Sequence, residues 1–332
     1  MKTRNVVATA ALIALGVEVQ CGEAPGFERV ALDMPHRETV VRGAIWYPAG
    51  AGGEVRQVGE NAVFIGVPVL EGAAAAEGRP PVILLSHGLG GRFETNAWLS
   101  AGLAARGAIV LSVNHPKSTS SDFDLRQALN HWTRAQDLQG ALDWLLDEPH
   151  WMPRVDGTRV AAVGYSYGGW TVLSMGGAMG NLAGLVAYCD SFGERDDVCR
   201  LLARAGIDLA AMDADRFNAS YKDGRIKAIA AIDPGLHYGL DASNVTNLVD
   251  DVLLIGLGTG ADRQRLLVSA APCSQPASGT GAPLHRLPDL QAQRRSNLER
   301  GRRRPRLRRS GGNGPRCGSP PDPAGDFGPS GS

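Results

Sequence analysis

Apolar residues gather in five short continuous runs, at 82–85, 108–113, 160–163, 226–232 and 252–255. Runs of this length with no alternation mark strands covered on both faces of a parallel sheet. Ahead of them, residues 28–48 alternate apolar and polar side chains, as in Thr39-Val40-Val41-Arg42-Gly43-Ala44-Ile45-Trp46-Tyr47, which predicts half-buried antiparallel strands. Residues 50–78 are rich in Gly and Ala and predict a loop, with one short strand near Val63. Between the runs the period becomes helical. Leu125, Leu129, Trp132, Leu138, Leu142 and Leu145 recur at helical spacing and form one stripe able to pack on a sheet. Strands alternating with helices predict an α/β fold, a mostly parallel doubly wound sheet with helices on both faces. Residues 179–224 are helical and polar without a buried strand, and read as an insertion capping the sheet's carboxyl edge.

With 332 residues, 43% hydrophobic and 20% charged, the chain can bury one sizeable core, or one core and a small second unit. The net charge of zero conceals an asymmetry. Residues up to Asp262 hold 21 Lys and Arg against 30 Asp and Glu, whereas those from Arg263 onward hold 13 against 4. The organisation expected is a main domain over 22–270 and a disordered basic tail over 271–332. Lys2 and Arg4 precede an apolar stretch over 6–17, with the charge and length of a secretory signal ending near residue 21 rather than of a membrane span. Export to a periplasmic or secreted location is expected; the alternative is an ordinary first helix in a cytoplasmic protein. Five cysteines leave at least one unpaired. Cys189 and Cys199 can close a small loop if the compartment oxidises thiols, and otherwise are two buried thiols. No His and Cys set has zinc spacing, so no metal is expected.

The chemistry centres on Gly164-Tyr165-Ser166-Tyr167-Gly168-Gly169, which follows the run at 160–163 directly and precedes a small, apolar helical stretch. A serine on such a strand-to-helix turn has strained backbone angles, and flanking glycines let the chain pass without a clashing Cβ. In a chain with 43 glycines the bare pattern is weak evidence, and the strand before it supplies the context. A second requirement is met upstream by Ser86-His87-Gly88-Leu89-Gly90-Gly91, a Gly-rich turn closing the first buried run. Its Leu89 amide and the Tyr167 amide are the expected oxyanion-hole donors. The plain reading of either motif is a glycine turn in an α/β protein.

A serine nucleophile needs a base and an orienting acid, in the chain order Ser, Asp or Glu, His. Asp233 ends the run at 226–232 before Pro234-Gly235 and is the favoured acid; Asp262, after a Gly258-Thr259-Gly260 turn, is the rival. Of the later histidines, His237 comes too early. His285 lies at a suitable distance, although no strand precedes it. His115 reads either as a cleft residue or, more simply, as a hydrogen-bonded structural one. Arg134 and Asp137, three apart on a helix, read as a surface pair.

Taken together these motifs resemble the α/β-hydrolase superfamily, and within it the predicted dienelactone hydrolases, relatives of the platelet-activating-factor acetylhydrolases. Residues 85–90 resemble their oxyanion turn, 164–169 their elbow and Ile232-Asp233 the position of their acid. Trp46-Tyr47-Pro48, Val58-Gly59-Glu60-Asn61 and Asn114-His115-Pro116 add to the likeness, which covers about residues 27–270. The resemblance implies hydrolysis of a carboxylic or lipid ester through an acyl-enzyme, no cofactor and a periplasmic or secreted setting; a nucleic-acid partner and a stable membrane span are not expected. True dienelactone hydrolases use a cysteine nucleophile, so their substrate does not carry over. A catalytically inactive hydrolase-fold binding protein is the competing class, and a peptidase or acyltransferase would share the elbow.

The ten arginines between Arg294 and Arg316 fit no closing strand or helix. Either this is a functional basic tail, or the reading frame shifts between Asp262 and Pro283. Codons compatible with 283–298, read one base later, spell a His-Phe turn resembling the family's own. A shifted frame would remove the native base and the last strand and helix.

Overall fold

The computed structural model describes residues 24–62 and 64–257. The expected signal segment, Val63, Asp262, His285 and the tail at 271–332 lie outside the described residues. Among those described, one nine-stranded sheet is built from β1 (Gly26–Leu32), β2 (Val41–Tyr47), β3 (Glu54–Val58), β4 (Val67–Glu71), β5 (Pro81–Ser86), β6 (Ile109–Val113), β7 (Asp156–Tyr165), β8 (Ile226–Ile232) and β9 (Asp251–Ile255). Their spatial order is β3-β4-β1-β2-β6-β5-β7-β8-β9. From β6 to β9 neighbouring strands are parallel, while β2 pairs antiparallel with both β1 and β6.

All five apolar runs are strands of the parallel part. Residues in β6 are buried at every position, as a strand packed on both faces requires. Two cores follow from the alternation of side chains across the sheet. Leu84 and Leu111 face the larger one with Leu138, Trp170 and Leu173, whereas Leu85 and Val110 face the smaller one with Phe27, Trp46 and Phe93. The chain passes from β5 to β6 on one side and then returns to β7, β8 and β9 on the other. The carboxyl ends of β5 and β7 therefore flank the point where strand order reverses, the place where open α/β sheets bind ligands. This is the α/β-hydrolase fold.

The smaller core is covered by α1 (Ala97–Ala104). The stripe expected from Leu125 to Leu145 is divided into α2 (Leu125–Ala128), whose first turn is capped by the Asp124 carboxylate on the Gln127 amide, and α3 (Trp132–Asp147). The helix after the elbow, α4 (Tyr167–Gly176), is buried along its whole length, which its glycines and small side chains permit. It ends on Gly177 at φ 116°, a left-handed conformation that favours glycine.

Three expectations need correction. Residues 50–78 hold two strands rather than one near Val63. β3 has four exposed residues of five and is held by backbone pairing to β4 at the sheet's edge, so side-chain patterning carried no signal of it. β2 is buried at six of seven positions rather than half-buried, because both its faces are covered. Arg134 and Asp137 are not a surface pair: both side chains are buried, on the face of α3 that also carries Leu138, Ala141 and Leu145.

Residues 179–224 contain α5 (Leu182–Phe192), α6 (Asp197–Arg204) and α7 (Ala214–Asn218), and no strand. α5 packs on the loop after β8. The Asn181 amide donates to the Gly239 carbonyl at 3.0 Å, the Tyr188 and Tyr238 rings lie 4.9 Å apart, and a Cβ on Gly184 would fall 2.1 Å from the Gly239 oxygen. A disulfide joins Cys189 on α5 to Cys199 on α6. No helix among the described residues is long and apolar enough to cross a membrane, and none of them cluster as metal ligands.

Candidate active site

Ser166 sits between the last residue of β7 and the first of α4, at φ 53° and ψ −119°. A non-glycine residue at positive φ is strained, and persists only where its surroundings over-determine it. Here they do. The Ser166 amide donates to the Ile232 carbonyl at 2.8 Å, and the Ser166 carbonyl accepts from Gly235 at 2.9 Å. The glycines are sterically required as well: a Cβ on Gly164 would fall 2.0 Å from the Gly168 oxygen, and one on Gly169 2.9 Å from the Pro234 Cα. Ser166 itself is half-buried and Tyr165 beside it is 40% exposed, so the turn opens to solvent. Among the described residues no side chain hydrogen-bonds the Ser166 hydroxyl.

The turn after β5 lies against this serine. A Cβ on Gly88 would meet the Ser166 Cβ at 3.4 Å and the Tyr165 ring at 3.5 Å. Leu89, next in the chain, is half-buried there. Tyr167 is the first residue of α4, so its N–H is one of those with no acceptor inside the helix. The two amides expected to form an oxyanion hole thus belong to adjoining segments.

Asp233 follows β8, next to the elbow, since Tyr165 pairs with Ile232. Its backbone has φ 45° and its amide donates to the Ile255 carbonyl at 2.6 Å; Leu236 in the same loop has φ 55°. Two non-glycine residues at positive φ mark this loop as strained in the way binding and catalytic loops are. His237, in the same loop, is buried, and its ring stacks on Tyr238 at 4.7 Å.

Beneath the turn lies a buried polar network that spacing along the chain did not reveal. Ser86, His87, His115, Arg134 and Asp137 are each at most 1% exposed. The Ser86 hydroxyl is 2.9 Å from His115 Nε2, and His115 Nδ1 is 2.9 Å from Asp137 Oδ2. This has the form of a catalytic triad without access to substrate, and His115 is the structural residue rather than a cleft residue. Asp137 also accepts two bonds from Arg37, at 2.8 and 2.6 Å, and one from His36 at 2.8 Å. Burial alone would raise its pKa; the bonds from His115, His36 and Arg37 outweigh burial and hold the carboxyl below its ordinary value. Burial and the charge of Arg134 push His115 down to about 3 and His87 well below the usual imidazole range. The neutral tautomers follow from the partners. His87 Nε2 accepts from the His115 backbone N–H, so Nδ1 carries the proton and donates to the Gly88 carbonyl at 2.7 Å.

No protein-family model matches the sequence, and no curated protein matches it. Among solved structures, the chain is similar to a ferulic acid esterase from Streptomyces cinnamoneus, at 20% identity over 74% of this chain and 69% of that one, with a TM-score of 0.49. It is also similar to a hyperthermophilic esterase from the archaeon Pyrobaculum calidifontis, at 18% identity over 63% and 44% with a TM-score of 0.31. A thermophilic carboxylesterase cloned from a metagenomic library has 18% identity over 62% and 47%, with a TM-score of 0.32. The chain therefore spans less than half the length of the latter two.

Proposed function

We propose that this protein is a serine hydrolase that cleaves carboxylic or lipid esters through an acyl-enzyme intermediate. Ser166 is the nucleophile, the Leu89 and Tyr167 amides stabilise the oxyanion, and Asp233 orients the base. The base expected at His285, and the rival acid Asp262, lie outside the described residues. The observation that carries the reading is the strained, solvent-open Ser166 at a strand-to-helix turn with the Gly88 turn packed against it. A hydroxyl fixed at that point faces backbone donors that need not reorganise as negative charge develops. Helix α5 rests on the loop following Asp233, and α5 to α7 are assigned as the cap of the substrate cleft. The disulfide between Cys189 and Cys199 supports a periplasmic or secreted location, where thiols are oxidised.

A fluorophosphonate probe should label Ser166 in the full chain, and Ser166→Ala should abolish both labelling and hydrolysis of nitrophenyl esters. A folded chain that never labels would overturn the reading. The ten arginines between Arg294 and Arg316 favour a second reading, a catalytically inactive binding protein of the same fold. Salt-dependent binding to an acidic partner through residues 271–332, without labelling, would establish it.

A further inference from the structure

Arg134 touches every segment that the proposed oxyanion hole depends on. From α3, its Nε donates to Thr171 Oγ1 on α4 at 3.0 Å, and its guanidinium carbon lies 4.6 Å from the centre of the Tyr167 ring. Its Nη2 donates to the His87 carbonyl and, at 3.2 Å, to the Ser86 hydroxyl. Its Nη1 donates to Ser118 Oγ at 2.5 Å, and the Ser118 carbonyl accepts from the Gly90 amide at 2.9 Å. One fully buried cation therefore joins the elbow helix, the turn after β5 and the loop bracing that turn.

The hydrogen bonds run in one direction. Arg134 donates to Ser86, Ser86 donates to His115 Nε2, and His115 Nδ1–H donates to the Asp137 carboxylate, which Arg37 grips bidentately. Each member fixes the proton position of the next, and such a chain is self-reinforcing in a low-dielectric interior. The backbone transmits this order to the surface. No peptide among the described residues is cis, so in each peptide unit the C=O and the following N–H point in opposite directions. With the Gly88 carbonyl held by His87 Nδ1 and by the Gly91 amide at 3.0 Å, the Leu89 N–H is directed away from the turn's interior.

We propose that Arg134 is a positioning residue that sets the relative placement of the Leu89 and Tyr167 amides by tying the turn after β5 to the first turn of α4. This rests on the assignment of those amides as the oxyanion hole. Arg134 touches no substrate and acts through the backbone it holds. A planar fork with donors on three sides is needed to reach Thr171, Ser118 and the Ser86–His87 pair together, and lysine lacks that geometry.

The test compares the full chain with Arg134→Lys, which keeps the charge, and with Thr171→Val and Ser118→Ala, which each remove one acceptor. Steady-state hydrolysis of a nitrophenyl ester, thermal melting, and backbone hydrogen exchange over 87–91 and 167–171 are measured. For Arg134→Lys the expected result is kcat lowered roughly 10- to 100-fold with KM within about twofold, since a misplacement near 1 Å costs about that much. Exchange should rise in both segments together. A folded Arg134→Lys with parental kcat overturns the proposal. If Arg134→Lys does not fold, Thr171→Val and Ser118→Ala decide, and parental kcat in both overturns it. If the parent neither labels nor hydrolyses, the serine-hydrolase reading fails separately. Exchange then decides the positioning role: a coordinated rise in both segments supports it, and a rise in one or neither overturns it.

Discussion

Replacing Gly168 with alanine perturbs the elbow and the proposed oxyanion turn at once. A methyl group at this position would lie 2.0 Å from the Ser86 oxygen, 2.6 Å from its carbonyl carbon and 2.8 Å from the His87 oxygen. A carbon and a carbonyl oxygen sit comfortably at about 3.3 Å, so the gap must open by roughly 1.3 Å. The obstructing atoms are backbone at the end of β5, a strand paired on both sides with β6 and β7, and no flexible side chain can absorb the shift. Overpacking of this kind costs about 1–3 kcal/mol. For a domain of this size that lowers Tm by roughly 2–12 °C, at about 2–4 °C per kcal/mol. The displaced segment leads into the Leu89 amide, and a misplacement near 1 Å lowers kcat by about 10²-fold. Gly88→Ala is the contrast, because its methyl group would meet the Ser166 Cβ at 3.4 Å, an ordinary contact. Its Tm should stay close to the parent's. Thermal melting and nitrophenyl ester kinetics on both variants check this, and a Gly168→Ala protein with parental Tm and kcat would refute the geometry argued for the elbow.

Three further outcomes are expected. Stability should fall as pH drops below about 6.5, because in the unfolded chain the rings of His87, His115 and His131 take up protons that they refuse when folded. Burial, the largest cause for each, holds His131, whose ring is buried just ahead of α3 against the Phe217 carbonyl, down to about 4 and His115 to about 3, and the loss continues to those values at up to about 1.4 kcal/mol per pH unit for each ring. Asp137, held below its ordinary value, adds a loss in the same direction below about pH 4; a urea midpoint that is flat from pH 7 to pH 5 contradicts the buried neutral histidines. Replacing Cys189 and Cys199 together by serine, which opens a loop of sequence separation 10, should cost about 2–3 kcal/mol in the unit holding α5 and α6, read as increased exchange or proteolysis there. Asp233→Asn should slow acylation of Ser166 by about 10⁴-fold while Asp262→Asn leaves it near the parental rate, as measured by the rate of fluorophosphonate labelling; the reverse pattern would transfer the acid's role to Asp262.

Much of this architecture could be read along the chain, because burial on both faces of a parallel strand leaves a local signature. The runs at 82–85, 160–163 and 226–232 are strands for that reason, and the glycines around Ser166 mark a turn whose crowding is itself local. β3 left no such trace, since an exposed edge strand is held by main-chain bonds that any residue but proline can make. The polar network escaped for a different reason. An Arg and an Asp three apart on a helix have the same spacing whether they face solvent or core. Only the turn of α3 that sets Arg134 beside Leu138 and Leu145 decides between the two. The partners that neutralise the pair come from positions as distant in sequence as His36, Ser86 and Thr171, and a buried charge is affordable only once such groups converge. The sequence by itself therefore determined the parallel part of the sheet, the elbow and the nature of the candidate nucleophile, all of which rest on local pattern. Which charges lie inside, and what holds the turn after β5 against α4, was decided by the tertiary structure, because desolvation is a property of the packed surroundings and of no residue alone.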